Sequence, residues 1–550
     1  MPARIIDRTP AAYRSPLLVK HLLHAPRAFA LDQEIVYRDL VRYTYRDLVA
    51  RVGRLANGLT SLGVKPGDTV GVMDWDSHRY LECYFAVPMM GAVLHTVNVR
   101  LSPEQILYTI DHADDDVLLV NAEFLPVLEQ IKDRLTSVKR FILLSDLMEP
   151  PATSVPLDAE YEGLLAHSCE SFAFPELDED TCATTFYTTG TTGLPKGVQY
   201  SHRQLVLHTL SGLTAMAIAP GQGSFHRDDV YMPITPMFHA HAWGYPYMAT
   251  LMGVKQVYPG RYDPAALLSL VRREGVTFSH CVPTIMFMLL GSPVMEHTDL
   301  AGWKVIIGGG PLPKALCRDA LARGIDIFGG YGLSETGPFI ASAQLPPDTS
   351  GMDEERQVEI RCRAGRPNPL VDLRVVDDAM QDVPHDGKAT GEIVVRAPWA
   401  TMGYLKDERN SAALWAGGYL HTGDIGFIDE QGYLQVSDRI KDVIKTGGEW
   451  ISSLALEGIA TQHPAVSEAA VIAVPDEKWG ERPVAMVTLK DEFKGKVTEE
   501  EIKKFFGEFV QKGAISKWGV PDRVLFVDTL AKTSVGKLNK RAMRQQLGPR

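Results

Sequence analysis

Tyr187-Thr188-Thr189-Gly190-Thr191-Thr192-Gly193-Leu194-Pro195-Lys196-Gly197 gathers four threonine hydroxyls, three glycines and a lysine into eleven residues. Glycines let successive backbone N–H groups turn inward as a nest for an anion, and the hydroxyls add donors and metal contacts. Lys196 contributes a mobile positive charge. The stretch is not a Walker A loop, because it lacks the GxxxxGK[ST] spacing. It reads as an anion-binding loop of another type.

Outward from this loop the chain alternates between helix and strand. Leu48, Val52, Leu55, Leu59 and Leu62 recur at three- and four-residue steps, which predicts an amphipathic helix from about Thr44. A KPGD turn at 65–68 leads into the strand TVGVM. Tyr80 to Met90 reads as helix, Gly91 punctuates it, and AVLHTV, DVLLV, RFILL, VKQVY and WKVII continue the strand series. Strands separated by helix-length segments predict mostly parallel sheets covered by helices on both faces. The character changes near Ser437. Beyond it come the strands AAVIAV, VAMVTL and RVLFV and a helix from about Thr498 to Val510, with Ile502, Phe505, Phe506 and Phe509 on one side. The expected architecture is therefore α/β: a large N-terminal domain (1–437), a hinge (438–442) and a smaller, mobile α+β lid (443–550), ~110 residues. The polar segment Pro346 to Arg363 reads as loop.

Composition narrows the function. Of 550 residues 45% are apolar and 23% charged, and the formal charge of -12 argues against a nucleic-acid partner, which calls for a basic face. Cys83, Cys169, Cys182, Cys281, Cys317 and Cys362 form no CxxC pair, as expected of reduced thiols in the cytoplasm. The N-terminal stretch has no long apolar core, no run approaches the ~18 apolar residues of a membrane span, and the final LGPR is not an SKL-type address.

Further motifs follow in order: Gly308-Gly309-Gly310-Pro311, Gly330-Tyr331-Gly332-Leu333-Ser334-Glu335-Thr336, Gly391-Glu392-Ile393, Tyr419-Leu-His-Thr-Gly-Asp424, Ser437-Asp-Arg439-Ile-Lys441-Asp442 and Thr533-Ser-Val-Gly-Lys537. With the Tyr187 loop, this ordered set resembles the adenylate-forming (AMP-binding) superfamily, in its acyl-CoA synthetase branch. The resemblance runs from about Thr44 to Lys540. It implies an ATP-dependent ligase that adenylates a carboxylic acid and passes the acyl group to coenzyme A, releasing AMP and pyrophosphate.

The resemblance assigns roles that the chemistry makes intelligible. Joining a carboxylate to ATP brings anions together, so the site must neutralise charge and align the attack. Thr188 and Glu335 would hold Mg²⁺, which prefers hard oxygen ligands. Thr189 to Lys196, including Gly190, Thr191, Thr192 and Gly193, would grip the β- and γ-phosphates. Gly309, Gly310 and Pro311 would line the adenine side, with Gly330, Tyr331, Gly332 and Ser334 beside them and Tyr331 stacked on the base. Thr336 would bind the α-phosphate, Asp424 would accept the ribose hydroxyls, and Arg439 belongs to the nucleotide set. Lys537 would bridge the carboxylate and the α-phosphate and stabilise developing charge.

The acid and thiol sides are read in the same way. His239, in PMFHAHAW, matches the histidine lining the acyl and thioester passage, and Trp243 the tryptophan that gates the acyl tunnel in bacterial long-chain synthetases. That match points to medium- or long-chain fatty acids, with a short, aryl or methylthio-substituted acid as the alternative. His239 and His241 alternate as neighbours on a strand face would, yet no further ligand spacing supports a metal there. Gly447, Gly448 and Trp450, with Lys441 and Lys445, match the pantetheine and nucleotide contacts of CoA ligases. In the two-orientation scheme of relatives, a turn about Lys441 would exchange Lys537 for Lys445 and these glycines. Two departures stand out. Ala531 replaces a usual proline in the lysine loop and removes a φ constraint, and Gly310 stands where a larger residue is common. Relatives also dimerise through N-terminal segments, which extends to residues 1–40 the expectation of a homodimer. Rival readings are a carrier-protein-loading adenylation enzyme, a luciferase-like oxygenase and a non-catalytic binding protein.

Overall fold

The computed structural model describes residues 6–547 apart from 148, 150, 189–193, 219–221, 298, 350, 447, 448, 534 and 535. These residues form four sheets. In the first, Leu157–Glu160, Arg140–Leu144, Asp115–Asn121, Thr69–Met73, Val93–Thr96 and Cys182–Thr188 run parallel, and Lys196–Ser201 closes one edge antiparallel. In the second, six parallel strands (Asp326–Tyr331, Lys304–Ile307, Phe278–Cys281, Val230–Pro233, Lys255–Tyr258 and Glu34–Tyr37) carry short antiparallel strands at both edges. Parallel strands need crossovers, and helices supply them.

Local chemistry explains where those helices begin. Tyr45–Ser61 starts with a reciprocal capping box between Thr44 and Asp47, and buries Leu48, Val52, Leu55 and Leu59. Gly53 on this helix lets it approach Glu170, whose carbonyl oxygen would lie 1.9 Å from a Cβ there. Leu62, expected on the helix, is its C-cap. The segment read as polar loop contains a helix instead, Glu354–Arg361, because the Asp353 side chain accepts from the Arg356 N–H and caps it. The strands Glu34–Tyr37 and Val41–Thr44, too short for a periodic signal, were not anticipated.

The third sheet is antiparallel: Asp372–Val376, Gly391–Arg396, Leu420–Ile428 and Leu434–Arg439. Its last strand runs through Ser437 and Asp438 to Arg439, which pairs with Asp424. A separate C-terminal core, built on Leu456, Val471, Val487, Ile502 and Phe506, surrounds the fourth sheet. There Val466–Asp476 and Gly480–Leu489 form a long hairpin, Arg523–Phe526 adds a parallel strand, and Ile444–Thr446 and Glu449–Ile451 complete it. Among the described residues no helix is long and apolar enough to cross a membrane.

Candidate functional site

Thr188 ends one strand and Lys196 begins the next, and the two residues face each other across an antiparallel pair. Thr189, Gly190, Thr191, Thr192 and Gly193 lie outside the described residues. The Lys196 ammonium sits 4.6 Å from the Tyr404 ring centroid, a cation–π contact. The Tyr404 hydroxyl donates to Oε1 of Glu335 over 2.7 Å. The loop stem and the Glu335 carboxylate thus share one corner, joined by a tyrosine that no motif announced. Leu405 N–H donating to the Gly197 carbonyl at 2.9 Å locks that tyrosine's segment to the hairpin.

Tyr331 ends the strand Asp326–Tyr331, and the tight turn after it depends on glycine. A Cβ on Gly332 would lie 1.4 Å from the Pro338 carbonyl oxygen. Gly337, at φ +91°, closes the Ser334–Thr336 turn. The Thr336 hydroxyl accepts from Leu333 N–H and donates to the Leu333 carbonyl, at 2.9 and 3.0 Å, so it is already used within its own turn. Trp399 Nε1 donates to the Thr336 carbonyl at 2.8 Å. Beside this turn the buried Asp424 carboxylate receives Tyr331 Oη on one oxygen at 2.9 Å and pairs with Arg439 Nε through the other at 3.2 Å. Burial pushes the Asp424 carboxyl up, and Arg439 opposes the shift.

Described residues on either side of 534 and 535 bond one another near Lys537. Asn539 N–H donates to the Ala531 carbonyl at 2.8 Å and Thr533 N–H to the Lys537 carbonyl at 2.6 Å. These bonds supply order that the missing proline would have given. Thr284 Oγ1 donates to the Gly536 carbonyl at 3.1 Å, fastening the loop to the large domain. A Cβ on Gly309 would lie 2.8 Å from Cε of Lys537 and 3.5 Å from its Nζ. Burial pushes the Lys537 ammonium down to about 8, with Arg439 adding to the shift and Asp424 and Glu335 resisting it. Burial, then Lys537 and Arg100, push the His239 imidazolium down to about 3, so this histidine is neutral at pH 7.

His239 and His241 do not share a strand face. Ala240, His241, Ala242 and Trp243 all have positive φ, 46°, 55°, 47° and 58°, and form a left-handed turn ended by Gly244. Such a turn costs about 1–2 kcal/mol per residue, so the packing around it must hold it in place. His241 Nε2 bonds Thr184 Oγ1 at 2.7 Å in the core, which removes it from the site. Trp243 is directed onto the glycine run: its Cη2 would lie 2.8 Å from a Cβ on Gly308. Behind it stand His280, with ring centroids 5.1 Å apart, and the buried Tyr231, Tyr245 and Phe278. Gly310 is the undemanding member of the run, since its Cβ would meet only Pro283, at 3.7 Å.

The sequence also nominated a thiol-side set. Lys445 and Trp450 pair across a two-stranded turn, and Lys445 N–H donates to Glu481 Oε2 at 2.8 Å. Gly447 and Gly448 lie outside the described residues. Burial, with Arg439, pushes the Lys441 ammonium down. Missed by the sequence were Tyr404, Thr284 and Arg100, whose guanidinium lies within 5.9 Å of the Trp75, Phe238 and Tyr262 ring centroids. Each acts across long sequence separations and leaves no local signal. Glu335 offers hard carboxylate oxygens, joined through Tyr404 to Lys196, a donor type that suits magnesium.

The profile of the AMP-binding enzyme family matches residues 23–405, and that of the AMP-binding enzyme C-terminal domain matches residues 455–537. A long-chain-fatty-acid–CoA ligase of Thermus thermophilus is 42% identical over 534 residues, covering 94% of each chain. A 3-methylmercaptopropionyl-CoA ligase of Ruegeria lacuscaerulensis is 39% identical over 541 residues, covering 96% of this chain and 97% of its own. Among solved structures, ATP-bound MatB of Rhodopseudomonas palustris is similar with a TM-score of 0.79 at 26% identity, over 96% of this chain and 98% of its own.

Proposed function

Because this chain belongs to the AMP-binding enzyme family and is an acid–CoA ligase, we propose that it acts on an aliphatic acid of the fatty-acid class, of medium to long chain. In the first half-reaction the carboxylate attacks the α-phosphorus of ATP, forming acyl-AMP and expelling pyrophosphate. In the second the CoA thiol attacks the acyl carbon and AMP leaves. The support for the first step is the half-buried Lys537, its side chain set against Gly309 within the field of Asp424 and Glu335.

Lys537 neutralises charge between carboxylate and phosphate, in a site dry enough to make that interaction strong. Asp424 turns its oxygens from Tyr331 and Arg439 towards the ribose hydroxyls, and the freed Tyr331 ring covers the adenine. Gly309, Gly310 and Pro311 border that base, and Gly330, Gly332 and Ser334 shape the turn beneath it. Thr336 meets the α-phosphate, while Thr188, residues 189–193 and Lys196 receive the outer phosphates. Glu335 and Thr188 would hold magnesium, which offsets phosphate charge when bound. Neutral His239 lines the passage to the acyl carbon. Lys441, Lys445, Gly447, Gly448 and Trp450 serve the thiol step in a second lid orientation, with 438–442 as the hinge. We place the enzyme in the cytoplasm, on its six cysteines without disulfides, and assign residues 1–40 to a homodimer contact by analogy.

One observation favours a second reading. Trp243 seats on Gly308 and is backed by packed aromatic side chains, which would end the acid pocket early and suit a short or thioether acid. A panel of C2 to C18, aryl and methylthio-substituted acids, assayed for AMP release with and without CoA, decides between them. A preference for octanoate or longer supports the fatty-acid assignment. A preference for methylthio-propanoate or butanoate overturns it.

A further inference from the structure

At the junction of the two domains lies a buried polar cluster that the two half-reactions as described do not use. Lys540, first residue of the helix Lys540–Leu547, donates from Nζ to Ser453 Oγ at 2.6 Å and pairs with Glu457 Oε1 at 2.7 Å. Ser453 Oγ donates in turn to Asp438 Oδ2 at 2.6 Å, and Ser453 N–H reaches the same oxygen. Asp438 Oδ1 accepts from Arg439 N–H at 2.8 Å, and Glu457 Oε1 accepts from Val471 N–H at 2.8 Å. Ser453 and Asp438 are 0 and 1% exposed, and Lys540 and Glu457 both 8%. Taking an ammonium and two carboxylates out of water is costly, and an apolar cluster of equal volume is often as stable. What a charged cluster adds is direction.

We propose that Lys540 is a positioning residue for adenylation: through Ser453 it ties the helix after the Lys537 loop to Asp438, and so holds Lys537 at Gly309. Asp438 stands on the strand Leu434–Arg439, next to the Arg439 that pairs with Asp424. Ser453, Glu457 and Lys540 stand on the lid. The cluster therefore closes only when the lid brings Ser453 onto Asp438. Lys540 follows Lys537 by three residues, and buried Met543 fixes the helix beneath it, so movement of Lys540 moves the loop. Arg544 on the same helix pairs with Asp442 at 2.9 Å, a second tie to the hinge segment.

The inference rests on Lys537 acting in adenylation, so Lys537→Ala is the control. Acyl-adenylate formation from ATP, and thioester formation from supplied acyl-adenylate and CoA, would be timed separately with octanoyl and 3-(methylthio)propanoyl substrates. Ser453→Ala removes the relay and leaves the Lys540–Glu457 pair. It should slow adenylation by about tenfold or more at unchanged KM for ATP, and leave thioester formation within about twofold. Lys540→Met should lose more, because it strands two buried carboxylates, and Lys540→Arg should recover most of the rate. If Lys537→Ala is selective for adenylation while Ser453→Ala is silent or slows both steps equally, the positioning role is overturned and Lys537 keeps its own. If Lys537→Ala is itself unselective, the Lys537 reading fails, and the proposal with it.

Discussion

The proposed role of Lys537 rests on one side chain and is tested there. Lys537→Ala should lower the adenylation rate by about 10²–10³-fold, the worth of a few kcal/mol of transition-state contact, and leave thioester formation from supplied acyl-adenylate far less affected. Equal losses in both steps would exclude an adenylation-specific role. The ammonium is pushed down to about 8, against an ordinary lysine value near 10.4, and this fixes two opposite pH trends. Adenylation needs the charged form, so kcat/KM should fall as pH rises through about 8. Stability moves the other way: between about 8 and 10.4 the unfolded chain binds the proton that the folded one has lost, so this group's contribution rises with pH. Bound triphosphate favours the charged lysine, so the limb in kcat at saturating ATP should lie higher than that in kcat/KM. A profile of the first half-reaction without a basic limb near 8, or a Lys537→Arg enzyme that keeps the same limb, would show that another group titrates. The sequence nominates Lys537 by its place in an ordered set of motifs. Its place beside Gly309 was not legible there, because the two are more than two hundred positions apart.

At the scale of an element, the run Gly308-Gly309-Gly310 sets three different tolerances side by side. A methyl on Gly309 meets Lys537 Cε at 2.8 Å and must also adopt φ +74°. Gly309→Ala should therefore slow adenylation by roughly tenfold or more, since the strained backbone alone costs about 1–2 kcal/mol and the lysine must shift. A methyl on Gly308 meets the Trp243 ring at 2.8 Å, so Gly308→Ala should alter acid selectivity. Gly310→Ala meets only ordinary contacts and should retain activity within about threefold. Steady-state kinetics of the three variants test the ranking, and a Gly310→Ala enzyme worse than Gly309→Ala would refute it. The sequence singled out Gly310 as the roomy position but gave no way to rank the other two. What a glycine clears depends on the side chain opposite, and here those partners come from a left-handed turn and from the lid. The left-handed turn itself was read as strand, because alternating histidines carry the period of a strand whatever backbone holds them. The helix Glu354–Arg361 was missed for the converse reason: its cap is local, but its polarity hides any apolar stripe.

For the molecule as a whole, alternation of helix and strand was enough to give parallel sheets and a separate C-terminal unit, since apolar strands such as Thr69–Met73 and Asp115–Asn121 advertise themselves by composition, while short ones such as Glu34–Tyr37 do not. The acid pocket proposed behind Trp243 was not legible, because that cluster is made where segments far apart in sequence converge. Helix His202–Ile218, the strands Val230–Pro233, Phe278–Cys281 and Lys304–Ile307, and Phe339 all supply side chains to the aromatic cluster behind Trp243. If that cluster yields to an acyl chain, kcat/KM should rise with chain length up to a limit. Each buried methylene contributes roughly 0.8 kcal/mol, so two carbons change it by about an order of magnitude. Trp243→Ala should then shift the optimum towards longer acids while adenylation persists, because the indole carries no charge and touches no reacting atom. If the cluster instead stays closed, the wild-type series should peak at three to five carbons or at a thioether of that size. Trp243→Ala would then be the variant that first admits octanoate. The two outcomes differ in the wild-type series alone, so a variant that folds poorly does not blur them. Either leaves the acid–CoA ligase assignment and the role proposed for Lys537 untouched, since the charge-bearing corner of the site is built from different elements.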